Sequence, residues 1–154
     1  MAARDGRARK DRPQSARAGA VPSIIVIGVL MYLANVAPGW WALPFLTSRT
    51  AEVMGAVNAA WIAGLVANAV YLLVGVRAVR ALGEIIVIVF GIVATFRIWS
   101  VFPFDFGASS FDWALIVRIL LVVAIVGSFI GIIAQLAAFV RAILPHPSGH
   151  ALGQ

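Results

Sequence analysis

The sequence predicts an all-α fold, an integral membrane four-helix bundle of up-down-up-down topology, and three observations carry that reading. Of 154 residues, 62% are hydrophobic and only 12% are charged, with a mean hydropathy of +1.00, whereas a soluble domain keeps roughly a quarter of its residues charged to cover its surface. The charge is also unevenly spread: eight charged side chains precede Ser23, out of twelve Lys and Arg and six Asp and Glu in the whole chain. Finally, four apolar stretches come close to or exceed the roughly 20 residues that a helix rising about 1.5 Å per residue needs to cross a hydrocarbon core of about 30 Å.

Taken in order, residues 1–21 read as a disordered basic tail in which Arg4, Arg7, Arg9, Lys10, Arg12 and Arg17 face Asp5 and Asp11. Residues 22–144 hold the spans. The first, 22–38, is short and is expected to reach the indoles of Trp40 and Trp41, with Pro22 in its first turn and Pro38-Gly39 at its end. The second, 53–75, carries no charge. The third, 82–102, contains Arg97 and places Glu84 in its first turn, where the helix dipole favours an anion. The fourth, 113–143, contains Arg118 and is longer than a bilayer needs, so it should tilt or run on into water. Residues 145–154 read as a second disordered tail, whose prolines and glycine keep His146 and His150 from presenting together to a metal.

Helices rather than strands follow because lipid offers no partner for peptide N–H and C=O groups, and an open sheet would leave its edges unpaired. Connections of about 14, 6 and 10 residues are short enough to make sequential helices antiparallel neighbours. Lys and Arg concentrate in the tail and in Arg77, Arg80 and Arg141, against Arg49 alone in the other connections, which predicts that both termini are cytoplasmic. The first span shares its basic flank and apolar core with a signal peptide, but cleavage after Ala37 would need a small residue at Asn35.

The net charge of +6 lies mostly in the tail, so it reads as a topology signal and no nucleic-acid partner is expected. The absence of cysteine excludes disulfides, thiolate metal sites and thiol catalysis. No nucleophile-and-base pair, paired central acids or Gly-rich phosphate loop stands out, so neither an enzyme nor a cofactor is expected.

The costly polar groups at membrane depth are the candidate sites. Arg97 lies five residues before Phe102 and Arg118 five after Trp113, which puts both about 7 to 8 Å below the same surface at helical rise. With Asp105 and Asp112 in the loop between them they predict an outer-face charge cluster, either pinning the third and fourth helices together or binding an anion or headgroup. Asn58 and Asn68 fall on one seam of the second span and should face protein. Ala59, Ala63 and Ala67 form a small-residue row on that helix, and Gly127 and Gly131 a GxxxG on the fourth, predicting close helix contacts. Asn35, Thr95, Ser128 and Gln135 are further candidates for hydrogen bonds between helices. The spacing Trp-x-x-x-Pro-Phe occurs twice, at Trp40–Phe45 and Trp99–Phe104, which suggests either a duplicated hairpin or simply a common way for a helix to leave a membrane.

The stretches PGWWALPFLT, LVANAVYLL, FRIWSVFPFDF and WALIVRILLVV, within residues 36 to 125, resemble those of small four-span membrane proteins of GC-rich Gram-positive bacteria, a group with no assigned activity. The resemblance implies four spans and residence in the plasma membrane, and it carries over no functional residue. Eleven Arg against one Lys agrees with a GC-rich genome. The function expected is that of a non-enzymatic structural or accessory membrane protein working through helix contacts, with the lipid bilayer, further copies of itself or a larger membrane complex as partners. The alternative is a small homo-oligomeric transporter or channel lined by the amide seam or the outer arginines.

Overall fold

A computed structural model describes residues 12–107 and 111–144, and its regular elements are helices. They are α1 (Arg12–Asn35), a short 3-10 turn (Trp40–Ala42), α2 (Thr50–Leu73), α3 (Arg77–Val101) and α4 (Trp113–Ile143). α2 is rich in Ala, lacks proline and stops where Val74 turns extended. α3 stops at Val101 because Phe102 adopts a left-handed backbone, φ 43°, and Pro103 cannot extend the hydrogen-bond ladder. α4 starts on the Asp112 carboxylate, which accepts a hydrogen bond from the Leu115 amide at 2.9 Å, satisfying one of the free N–H groups of the first turn.

The boundaries that differ most from the sequence reading are the starts of α1 and α3. α1 reaches back to Arg12, so residues 12–21 form its first turns instead of a disordered tail, and Pro22 lies inside the helix. An interior proline removes one ladder bond, and the Ala- and Arg-rich run before it retains good helix propensity. α3 begins at Arg77, so Glu84 lies beyond its first turn; hydropathy placed the boundary at the end of the charges, whereas the backbone turns helical as soon as Val76 ends the extended link. The remaining tail residues, including His146 and His150, lie outside the described residues.

The helices touch in chain order, α1 on α2, α2 on α3 and α3 on α4, and among the described residues α4 forms no extended contact with α1 or α2. The arrangement is therefore an open row of helices, where the sequence predicted an up-down-up-down bundle. Contacts run in opposite senses along neighbours: Ile27 and Asn35 of α1 meet Gly64 and Asn58 of α2, while Ile88 and Phe102 meet Gly131 and Arg118. Small residues make the close approaches. Ala20, Ala67, Ala81 and Ala94 are buried, a Cβ on Gly64 would lie 3.1 Å from Ile27, and one on Gly131 would lie 3.2 Å from Ile88. Such packing is expected where lipid tails remove any hydrophobic drive between helices, leaving dispersion and close backbone approach.

α2, α3 and α4 are each long and apolar enough to cross a membrane, while the apolar part of α1, Gly19–Asn35, is shorter. Large side chains such as Ile25, Val66, Phe96, Leu120 and Ile133 are exposed. In water so much exposed apolar surface would aggregate, and in lipid it is simply solvated.

Candidate functional site

The two connections that leave α1 and α3 meet at one end of the row and pair there. Thr47 donates its amide to the Pro103 carbonyl at 3.0 Å and Asp105 donates its own to the Phe45 carbonyl at 2.9 Å, an antiparallel bridge centred on Leu46 and Phe104. The bridge falls where the two Trp-x-x-x-Pro-Phe stretches end, so the repeated motif marks two segments that pair with each other. Pro103 is fully buried beneath the bridge, and Gly39, at φ 81°, lies so close under the Trp41 indole that no side chain would fit there.

A chain of rings runs across this clasp. Phe45 stacks on Phe106 at 6.2 Å, Phe106 stacks on Phe104 at 6.0 Å, and Phe104 meets Phe102 edge-on at 5.4 Å. Arg118 ends the chain, its guanidinium carbon 4.8 Å from the centroid of the Phe102 ring. That cation–π contact is worth about 0.5 to 2 kcal/mol, depending on how far water is excluded.

The structure does not join Arg97, Arg118, Asp105 and Asp112 by ion pairs; among the described residues the ion pair formed is Arg49–Glu52, at 3.4 Å. The physical reason is that both carboxylates bond to backbone. Asp105 accepts from the Gly107 amide at 2.9 Å, closing a turn in which Gly107 takes φ 59°, and Asp112 caps α4. Arg97 is exposed, and Arg118 lies on a ring. The buried hydroxyls of Thr47, in the clasp, and Thr50, at the start of α2, have no hydrogen-bond partner among the described residues.

Between α1 and α2, Asn35 and Asn58 form a reciprocal amide pair, with N···O distances of 2.9 and 2.8 Å, and Asn35 donates also to the Met31 carbonyl at 2.8 Å. Asn68 is not brought to that pair; it donates to its own helix at the Gly64 carbonyl, 2.8 Å away. Thr95 and Ser128 likewise donate to the carbonyls of Gly91 and Ala124, each at 2.7 Å, the usual back-bonding of hydroxyls in a helix. Of the small residues, Ala67 is buried, Ala59 and Ala63 are half-buried, Gly131 faces Ile88 of α3, and nothing lies within 4 Å of where a Cβ on Gly127 would stand.

The phenylalanine chain and the close approach of Tyr71 to Gly83, where a Cβ would fall 2.5 Å from the phenol oxygen, were not read from the sequence. The doubled Pro-Phe was the available signal for the first. Among the described residues no group of three His, Cys, Asp or Glu side chains stands close enough to hold a metal ion. Comparisons with protein families, with characterised proteins and with solved structures give no match.

Proposed function

We propose that this chain is a multi-pass membrane protein that crosses the bacterial plasma membrane four times with both termini in the cytoplasm, and that it serves as a non-enzymatic structural or accessory subunit acting through lateral helix contacts. The observation that carries the proposal is the open row: α4 has no buried residue along its whole length and one helical neighbour, α3. Its GxxxG is half used, with Gly131 on α3 and Gly127 facing open space, a pattern that suits a second helix arriving from outside the row. The amide groups support the same reading over transport, because Asn35, Asn58 and Asn68 are bonded to one another or to their own helices and offer no line of open polar groups.

The test has two parts. Reporter fusions at both termini should place them on the cytoplasmic side, and native mass spectrometry in mild detergent should find the chain in a homo-oligomer or bound to larger membrane proteins, with Gly127→Leu weakening that association. A strictly monomeric protein whose Gly127→Leu variant behaves identically would refute the lateral-contact role.

A further inference from the structure

An apolar groove of about 530 Å3 lies between α2 and α3, lined by Ala59, Ala63, Ala67, Tyr71, Gly83 and Phe90 among others. Alanines and a glycine form it, so it exists because those side chains are small. From Ala59 to Tyr71 it runs along twelve residues of α2, about 18 Å at helical rise, little more than half of a hydrocarbon core of about 30 Å. It therefore has the length of one leaflet and lies in the half of the row nearer the α2–α3 connection.

Its end nearer the α2–α3 connection is basic. The Tyr71 hydroxyl donates to the Arg80 carbonyl at 3.1 Å, and the Arg80 guanidinium carbon stands 5.7 Å from the Tyr71 ring centroid. Arg77 is one turn earlier, and both arginines are exposed. Arg141, on the last turn of α4, adds a third positive charge at this end, against Glu84 as the acid. Among the described residues no ion pair takes up Arg77 or Arg80.

We infer that the groove between α2 and α3 holds one acyl chain of an anionic phospholipid, with Arg80 and Arg77 at its end receiving the phosphate. A phospholipid suits the groove because one acyl chain matches its one-leaflet length and the phosphate then reaches the exposed arginines at its end. Basic groups at the cytoplasmic end of a cleft between transmembrane helices are suited to anionic headgroups. Gly83 has a defined part in this: it lets Tyr71 lie close against α3, and Tyr71 in turn positions Arg80. The inference rests on the membrane placement proposed above and is independent of any lateral partner.

The experiment uses the full chain in vesicles of equal parts phosphatidylglycerol and phosphatidylcholine, extracted into mild detergent and examined by native mass spectrometry. The wild type should retain one phosphatidylglycerol per chain in preference to phosphatidylcholine. The preference should fall about fivefold for each arginine removed in Arg77→Gln and Arg80→Gln. Ala63→Phe, which fills the groove, should lose both lipids. Equal retention of the two lipids by the wild type, unchanged preference in the double arginine variant, or cross-linking of two chains through Ala63→Cys would each overturn the proposal. Because the arginines are exposed, their variant decides the matter even where Ala63→Phe does not fold. Carbonate washing of the same vesicles tests membrane placement separately: release of the protein would sink the placement before any lipid is counted.

Discussion

α2 and α4 are both long apolar helices, yet they sit in the row in opposite ways. α2 is the less apolar of the two, carries Asn58 and Asn68, and buries Thr50, Val53, Gly64, Ala67 and Tyr71 between two neighbours. α4 is the most apolar helix of the molecule and buries nothing. Hydropathy and burial thus run in opposite directions, the reverse of a soluble core. In lipid, apolar side chains need no protein cover, whereas amides do, and small residues mark where a neighbour comes close.

Breaking the packing of α2 should have the largest effect. Gly64→Leu forces a side chain into Ile27 of α1, where even a Cβ would lie 3.1 Å from that residue, and should destabilise the protein by about 1 to 3 kcal/mol in detergent unfolding. Gly127→Leu on α4 has open space instead and should stay within about 0.5 kcal/mol of wild type in the monomer; equal losses at both glycines would abolish the contrast.

The next effect comes from Asn58→Leu, which leaves the Asn35 amide facing a hydrocarbon side chain. A loss of about 1 kcal/mol is expected, and the double variant with Asn35→Leu should recover most of it. A cycle showing no coupling between the two positions would mean that the reciprocal pair contributes nothing.

At the clasp, Arg118→Gln should cost about 1 kcal/mol through the lost contact with Phe102. The informative comparison is between two double-mutant cycles: Arg118 should couple to Phe102 but not to Asp112, whose carboxylate serves the start of α4. The reverse result would restore the charge cluster that the sequence suggests. Smallest of all, Thr50→Val removes a buried hydroxyl that has no partner among the described residues and should leave thermal stability unchanged or raised by about 0.5 kcal/mol.

The helical class was legible because uninterrupted apolar runs of span length have few other folds open to them. Row against bundle was not, since α4 has a nearly uniform apolar surface and nothing in such a surface says which side meets protein. The partner of Asn58 was legible only as one of a set: Asn35, Thr95, Ser128 and Gln135 all qualified, and the choice depends on the register of α1 against α2, which Ile27 and Gly64 help to set. Asp112 stands immediately before a helical run, the position of an N-cap, and its carboxylate serves there instead of meeting the arginines. Proximity of opposite charges along a sequence says little when backbone amides stand nearer than guanidinium groups.

The pairing of Leu46 with Phe104 also orders events in time. Its two segments belong to connections separated by all of α2 and α3, so the bridge closes a long loop and carries a correspondingly large closure entropy. The contacts of α1 with α2 involve much shorter loops and can form sooner. The clasp is thus tied after the asparagine pair, and a chain halted before Phe104 emerges leaves its first connection without a mate.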